Sequence, residues 1–228
     1  CFKKNRHQYR KRNKGYRKLK KKILVISGGI SKERAISLET GKQVANELKK
    51  NGYKIKVCEP NYNLTNIIKA FKPESIFNAL HGQFGEDGYI QSILENIGLP
   101  YTHSGIAASA KAMDKEISKK IFIKNKILTP KYIKYSFDKS KSELKNLIKI
   151  KLGFPVVVKP INEGSSVNVF ICNSSNINDK LNVLKVYKEI LIEKFIPGRE
   201  IQAAILGKNK LGAIELKPRR EFYDYQAK

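Results

Sequence analysis

A short apolar strand that runs into a glycine loop, an amphipathic helix and a second strand is the pattern that most narrows what this chain can fold into. Lys22 to Ser27 (KILVIS) leads into Gly28-Gly29-Ile30-Ser31-Lys32-Glu33-Arg34. Gly41, Val44, Ala45 and Leu48 then follow at i, i+3, i+4 and i+7, Asn51-Gly52 closes the helix, and Tyr53 to Val57 alternates cleanly. Two successive strands joined through a helix run parallel, so an α/β unit with a parallel sheet is expected. A loop that opens a helix also offers unpaired N–H groups to anions. Its glycine spacing, however, is not that of a dinucleotide fingerprint, and Glu33 can simply favour the helix N-terminus electrostatically.

Ser75 to Leu80 (SIFNAL) reads as a third strand and ends in His81-Gly82-Gln83-Phe84-Gly85-Glu86-Asp87-Gly88. A lone histidine is ordinarily structural. Three glycines and two acids beside it, just past a strand's C-terminal end, place it where α/β sheets bind ligands. A helix with Ile90, Ile93, Leu94 and Ile97 on one face follows and stops at Gly98 and Pro100. This first unit is expected to end near Met113, where Asp114-Lys115 caps a helix carrying Ile117 and Ile121.

Beyond Pro130 the pattern changes to a strand (Lys131 to Tyr135), a helix (Ser140 to Lys151), a hairpin, a helix with Leu181 and Leu184, and a strand (Glu189 to Lys194). That order predicts an α+β lobe with an antiparallel sheet. The strands Ile201 to Leu206 and Leu211 to Lys217 are predicted after it. The hairpin, FPVVVKPINEGSSVN at Phe154–Asn168, pairs a buried strand ending in Lys159 with a polar loop, Glu163-Gly164-Ser165-Ser166. A second alternating strand is predicted through Val167, Val169 and Ile171. Two readings stand for the loop. It is a surface turn, or it cradles a polyphosphate, with lysine as the point charge, glycine admitting the backbone and hydroxyls adding donors.

With 228 residues, 41% hydrophobic and 29% charged, the chain has the make-up of a soluble globular protein of one large or two modest domains. No apolar run approaches the roughly 20 residues that cross a bilayer. Cys1, Cys58 and Cys172 are odd in number and far apart, which argues against a disulfide framework or a zinc site and for a reduced, cytoplasmic setting. The net charge of +26 is uneven: twelve cations and no acid fall in residues 1–22. Such a run can be an RNA-binding arm, a membrane-surface tether or a disordered appendage, and has no apolar stretch of a secretory signal. The chain begins with Cys1 and its one methionine is Met113, so it is expected to be part of a longer product.

Taken together, GGISKERAISL at Gly28–Leu38, HGQFGEDG at His81–Gly88, MDK at Met113–Lys115, VVVKPINEGSSV at Val156–Val167, IEKFIPGRE at Ile192–Glu200 and FYDYQAK at Phe222–Lys228 resemble the D-alanine–D-alanine ligases of the ATP-grasp superfamily, in order and spacing. The resemblance covers the chain from Lys22 to its end. The charge run gives a basic, disordered tail at 1–22, which has no counterpart in the family; the resemblance implies an N-terminal α/β substrate-binding domain at 23–113. A central ATP-grasp lobe at 114–196 and the start of a C-terminal lobe at 197–228 complete it. The fold class is then α/β and α+β, a parallel-sheet domain followed by an ATP-grasp fold whose second lobe is incomplete.

The activity implied is ATP-dependent ligation of two D-alanine molecules through an acylphosphate, for peptidoglycan precursors. It needs Mg2+ (or Mn2+) and is expected of a homodimer in the full-length protein. The absence of a Ser-His-Asp or Cys-His pattern agrees, because no enzyme nucleophile is needed. By resemblance Glu33 would orient the first D-alanine through its ammonium, His81 would lie near that substrate's carboxylate, and Ser165 would hold Glu33. Lys115 and Lys159 would contact the ATP phosphates under the loop formed by Glu163 and Ser166. Glu193, Lys194 and Ile196 would read adenine, and Glu200 the ribose hydroxyls. Tyr225 and Lys228 would belong to a mobile loop over the transferring phosphate.

Two departures matter. Asn168 stands where the family has glycine, which stiffens the loop exit. The family's magnesium ligands and second-substrate loop have no motif before Lys228, so residues 1–228 alone are expected to be inactive. The alternatives are a D-alanine–D-lactate or D-alanine–D-serine ligase, disfavoured by the Tyr225-x-x-Lys228 pattern, and a nucleic-acid-binding protein acting through the tail. The second alternative accounts for none of the motifs.

Overall fold

The computed structural model of the chain describes residues 21–217. They form two compact units. The first takes the described residues up to Gly29, then Arg34–Leu80 and Leu94–His103; the second takes Ile30–Glu33, His81–Ile93 and the chain from Ser104 onward.

The first unit is built on a parallel sheet in the order β2-β1-β3, with β1 at Lys22–Ile26, β2 at Lys54–Cys58 and β3 at Ser75–Asn78. Parallel neighbours need crossovers. Helices α1 (Arg34–Lys50) and α2 (Leu64–Phe71) make them. Leu24, Val25 and Ile26 on the central strand are all fully buried, the near-continuous apolar run of a strand covered on both faces. Burying such side chains stabilises the unit by about 1.5–3 kcal/mol each. Val25, Ala45 and Ala79 form a core that Val44, Leu48, Ile55 and Phe77 flank. Helix α1 reaches the strand end because residue 41 is glycine: a Cβ there would stand 2.4 Å from that of Ser27.

Helix α3 (Tyr89–Ile97) continues from the second unit into the first. In the second unit, helices α4 (Ile106–Met113) and α5 (Lys115–Lys124) precede an antiparallel sheet. Its strands are β4 (Tyr132–Ser136), β5 (Val156–Pro160), β6 (Phe170–Cys172) and β7 (Glu189–Lys194), in the order β4-β7-β5-β6. Helix α6 (Lys141–Lys151) brings Leu144 and Ile148 to one face, and α7 (Ile177–Leu184) brings Ile177, Leu181 and Leu184. Val156, Val158, Ile190 and Ile192 meet them there. Because side chains alternate along strands, Val157, Lys159, Leu191 and Glu193 fall on the opposite face. Strands β8 (Glu200–Leu206) and β9 (Asn209–Leu216) pair only with each other among the described residues, and β8 is exposed throughout.

The parallel and antiparallel sheets expected from sequence are both present. Three local readings differ. The second strand of the hairpin is confined to Phe170–Cys172, because Ser165, Ser166 and Asn168 all take positive φ (46°, 59° and 54°) and the chain turns where an extended strand was expected. Helices α2 and α4 occupy residues that the sequence reading left without an element. No helix among the described residues is long and apolar enough to cross a membrane.

Candidate active site

Within the second unit, the loop after β5 is the meeting point. Ser165 donates its hydroxyl to Oε1 of Glu33, which is 5% exposed. The other carboxylate oxygen lies where two glycines leave room. A Cβ at Gly82 would come within 2.6 Å of Oε2, and one at Gly164 within 3.0 Å. Ser31 fixes the approach: its Oγ donates to the His81 carbonyl at 2.7 Å and accepts from the Glu33 N–H at 3.2 Å. The acids of the His81–Gly88 loop serve their own backbone, since Glu86 accepts from Gly82 N–H at 2.8 Å and Asp87 from Phe84 N–H at 2.9 Å.

The same loop receives a lysine. Asp114 caps α5, accepting from the Ile117 N–H at 2.9 Å, and so sets the direction of the first turn. Lys115 then reaches the loop backbone, donating to the Ile161 carbonyl at 3.2 Å and to the Glu163 carbonyl. Burial, and after it the like charge of Lys159, pull the Lys115 ammonium down to about 8.

Lys159 and Glu193 share the sheet face away from the core. In register Lys159 lies opposite Leu191 and Val157 opposite Glu193, so the two are diagonal neighbours, within reach of long side chains. Lys159 Nζ stands 2.7 Å from Glu193 Oε2. The other oxygen, Oε1, is 3.0 Å from Nζ of Lys119, which is buried one turn along α5 from Lys115.

The outer side of the loop is tied down by a residue without any sequence signal. Tyr187 lies in a 3₁₀ turn at Lys185–Tyr187, and its hydroxyl donates to Glu163 Oε1 (3.1 Å) and accepts from Lys32 Nζ (3.1 Å) and Asn168 Nδ2 (2.7 Å). Lys32 also pairs directly with Glu163 at 2.8 Å, a hydrogen bond that raises the lysine's pKa. A cavity of about 470 Å³ opens beside these groups, lined among others by Gln83, Asp87, Met113, Asn162, Glu163 and Tyr187.

The structure thus brings together Glu33 with Ser165, Lys115 with Glu163, and Lys159 with Glu193, and ties His81 into the group through its carbonyl. Ser166 makes no side-chain hydrogen bond to this cluster among the described residues. Lys194 spends its N–H on the Lys131 carbonyl at 2.9 Å, and Ile196 and Glu200 lie on exposed chain beyond β7. Tyr225 and Lys228 lie outside the described residues. The sequence reading missed Lys32, Lys119 and Tyr187. Only Lys119 carried a signal, its i+4 spacing from Lys115.

Comparison with known proteins shows the family. The model of the D-ala D-ala ligase C-terminus matches residues 125–228. A D-alanine–D-alanine ligase of Pelagibacter ubique is 70% identical over 208 residues, covering 91% of this chain and 68% of that protein. The crystal structure of the D-alanine–D-alanine ligase from Bacillus anthracis superposes with a TM-score of 0.77 at 38% identity, over 91% of this chain and 68% of its own. The same enzyme complexed with ATP gives 0.74 at 36% identity, over 89% of this chain and again 68% of its own. The chain therefore spans about two thirds of the length of these relatives, and it belongs to the D-alanine–D-alanine ligase family of enzymes.

Proposed function

We propose that the protein joins two D-alanine molecules with ATP as the energy source, through an acylphosphate. One observation carries the reading. A single loop presents its Ser165 hydroxyl to a buried carboxylate, Glu33, and its Glu163 carbonyl to a lysine, Lys115, in a unit where Lys159 adds a second, partly exposed cation. A carboxylate suits a substrate ammonium, and clustered lysines suit a polyphosphate. One site then has both charges needed to bring an amino acid's carboxylate to a phosphoryl donor.

In the first step a carboxylate oxygen of one D-alanine attacks the γ-phosphorus, and ADP leaves. In the second, the amine of the other D-alanine attacks the acyl carbon, loses a proton and expels phosphate. The protein's contribution is positioning and charge neutralisation. Glu33, held by Ser165, orients the first substrate through its ammonium, with His81 near its carboxylate. Lys115 and Lys159 meet the phosphates as the Glu163–Ser166 loop covers them. Glu193, Lys194 and Ile196 lie toward adenine, Glu200 toward the ribose, and Tyr225 and Lys228 over the transferring group. Among the described residues no group of three or more His, Cys, Asp or Glu side chains could hold a metal ion, and no step is assigned to one. A cytoplasmic homodimer belongs to the same proposal.

The test is D-alanine-dependent phosphate release from ATP by the product of the whole reading frame that encodes this chain. D-Alanyl-D-alanine is the expected product. D-Lactate or D-serine replacing the second D-alanine would move the assignment to a sister specificity, and no release with any D-amino acid would refute it.

A further inference from the structure

Glu193 is a buried carboxylate, 7% exposed, shared between two lysines that are not equivalent. Lys119 is 4% exposed; it donates to Thr129 Oγ1 at 2.7 Å and to the Pro130 carbonyl at 2.8 Å and forms an ion pair with Glu193 Oε1 at 3.0 Å. Its ammonium also lies 5.2 Å from the centre of the Tyr132 ring. Its partners all lie within the protein, and its burial keeps it from a ligand. Lys159 is different: its side chain is 20% exposed, and Glu193 is its one described partner. One lysine is locked, and the other can leave.

We propose that Lys119 is a positioning residue for Lys159: by permanently neutralising Glu193, it lets Lys159 turn to an incoming polyphosphate without leaving a buried carboxylate unpaired. Breaking a buried ion pair from one side is costly because it strands the remaining charge. If Lys159 were the sole counter-ion of Glu193, every phosphate contact it made would carry that cost. With Lys119 in place, the carboxylate keeps its charge partner and its position on β7 while Lys159 swings. Burial disfavours the Lys119 ammonium, and the hydrogen bond and charge of Glu193 oppose that effect. The inference rests on the proposed ATP site and adds a residue to it that makes no contact with nucleotide.

Nucleotide affinity of the full-length protein, measured by calorimetry, separates the outcomes when ATP is compared with adenosine. Lys119→Met is expected to weaken ATP by about tenfold or more, because Lys159 becomes tied to Glu193, while adenosine changes by less than about threefold. Lys119→Arg, which keeps the charge, should retain ATP affinity within about threefold. In Lys119→Met/Glu193→Gln the trap is gone, and the ratio of ATP to adenosine affinity, in which any loss at adenine cancels, should recover relative to Lys119→Met. Lys119→Gln, which keeps hydrogen-bonding capacity toward Thr129 or Pro130, replaces Lys119→Met should thermal unfolding show the latter not to be folded. Equal losses for ATP and adenosine, or no recovery in the double variant, overturn the role of Lys119 and leave the ligase assignment intact. A wild-type protein that binds neither nucleotide nor nucleoside overturns both.

Discussion

Ser165 donates a hydrogen bond to Glu33 across 132 residues of sequence, and it does so from a backbone with φ at +46°. A non-glycine residue held in the left-handed region costs energy that its surroundings must offset. Here the offset is the satisfaction of a carboxylate that is 5% exposed. Ser165→Ala should therefore lower stability by about 1–3 kcal/mol, the usual penalty of a buried acceptor losing its donor. Gly82→Ala should cost about 2 kcal/mol or more, since its φ is +69° and the new Cβ would fall 2.6 Å from Glu33 Oε2. Urea unfolding measures both. Unchanged midpoints would show that the carboxylate is not held as described.

Much of the fold was legible because the signals were local. The unbroken apolar runs Val156–Val158 and Ile190–Ile192 mark buried strands from sequence, but it takes the pairing register to bring Lys159 and Glu193 to one face. Leu64, Ile67, Ile68 and Phe71 even carry the i, i+3, i+4, i+7 pattern of the overlooked α2. Helix α4 is harder to read, because its run of alanines supplies helix propensity rather than an apolar stripe. The Val167-x-Val169-x-Ile171 alternation misled: it matches a strand in period, but the backbone is set by Ser165, Ser166 and Asn168 in the left-handed region. Tyr187 was invisible for another reason. Its contacts with Lys32, Glu163 and Asn168 are long-range, and nothing near it in sequence marks them.

The Asn168–Tyr187 contact bears on the stability of the loop exit. Asparagine tolerates the left-handed region better than most side chains, and its Nδ2 donates to the Tyr187 hydroxyl at 2.7 Å. Asn168→Ala loses the bond and retains the strain, so a cost of about 1–2 kcal/mol is expected. Asn168→Gly loses the same bond but relieves the strain, so it should stay within about 1 kcal/mol of the parent. Chemical denaturation orders the two. An alanine variant as stable as the glycine variant would place the residue outside the left-handed region.

In the core of the second unit, Leu181 is fully buried against the sheet, whereas Val183 on the same helix is 52% exposed. Leu181→Ala should destabilise by about 2–5 kcal/mol through lost burial and the cavity left behind. Val183→Ala should change stability by no more than about 0.5 kcal/mol. Thermal unfolding of the pair checks which face of α7 (Ile177–Leu184) meets the core.

Lys115 supplies a pH dependence with a definite sign. Its ammonium is pulled down from 10.5 to about 8, first by burial and then by Lys159, against the favourable charges of Glu163, Glu193 and Asp114. A lysine with a depressed folded-state pKa is a cost to folding that is fully present below about pH 8. Between pH 8 and 10.5 the unfolded chain binds more protons at this position than the native one, so the cost is relieved as pH rises through that window. Ligand binding responds in the opposite direction. A polyphosphate beside Lys115 favours its charged form, so binding above about pH 8 should take up to about one proton, and ATP affinity should fall as pH rises from 8 toward 10. Calorimetric titrations at pH 9, in buffers of different ionisation enthalpy, count that proton directly. Lys115→Arg keeps a permanent charge and should abolish the uptake. Uptake that persists in the arginine variant would assign the proton to another group, and no uptake in the parent would mean that Lys115 does not face the phosphates.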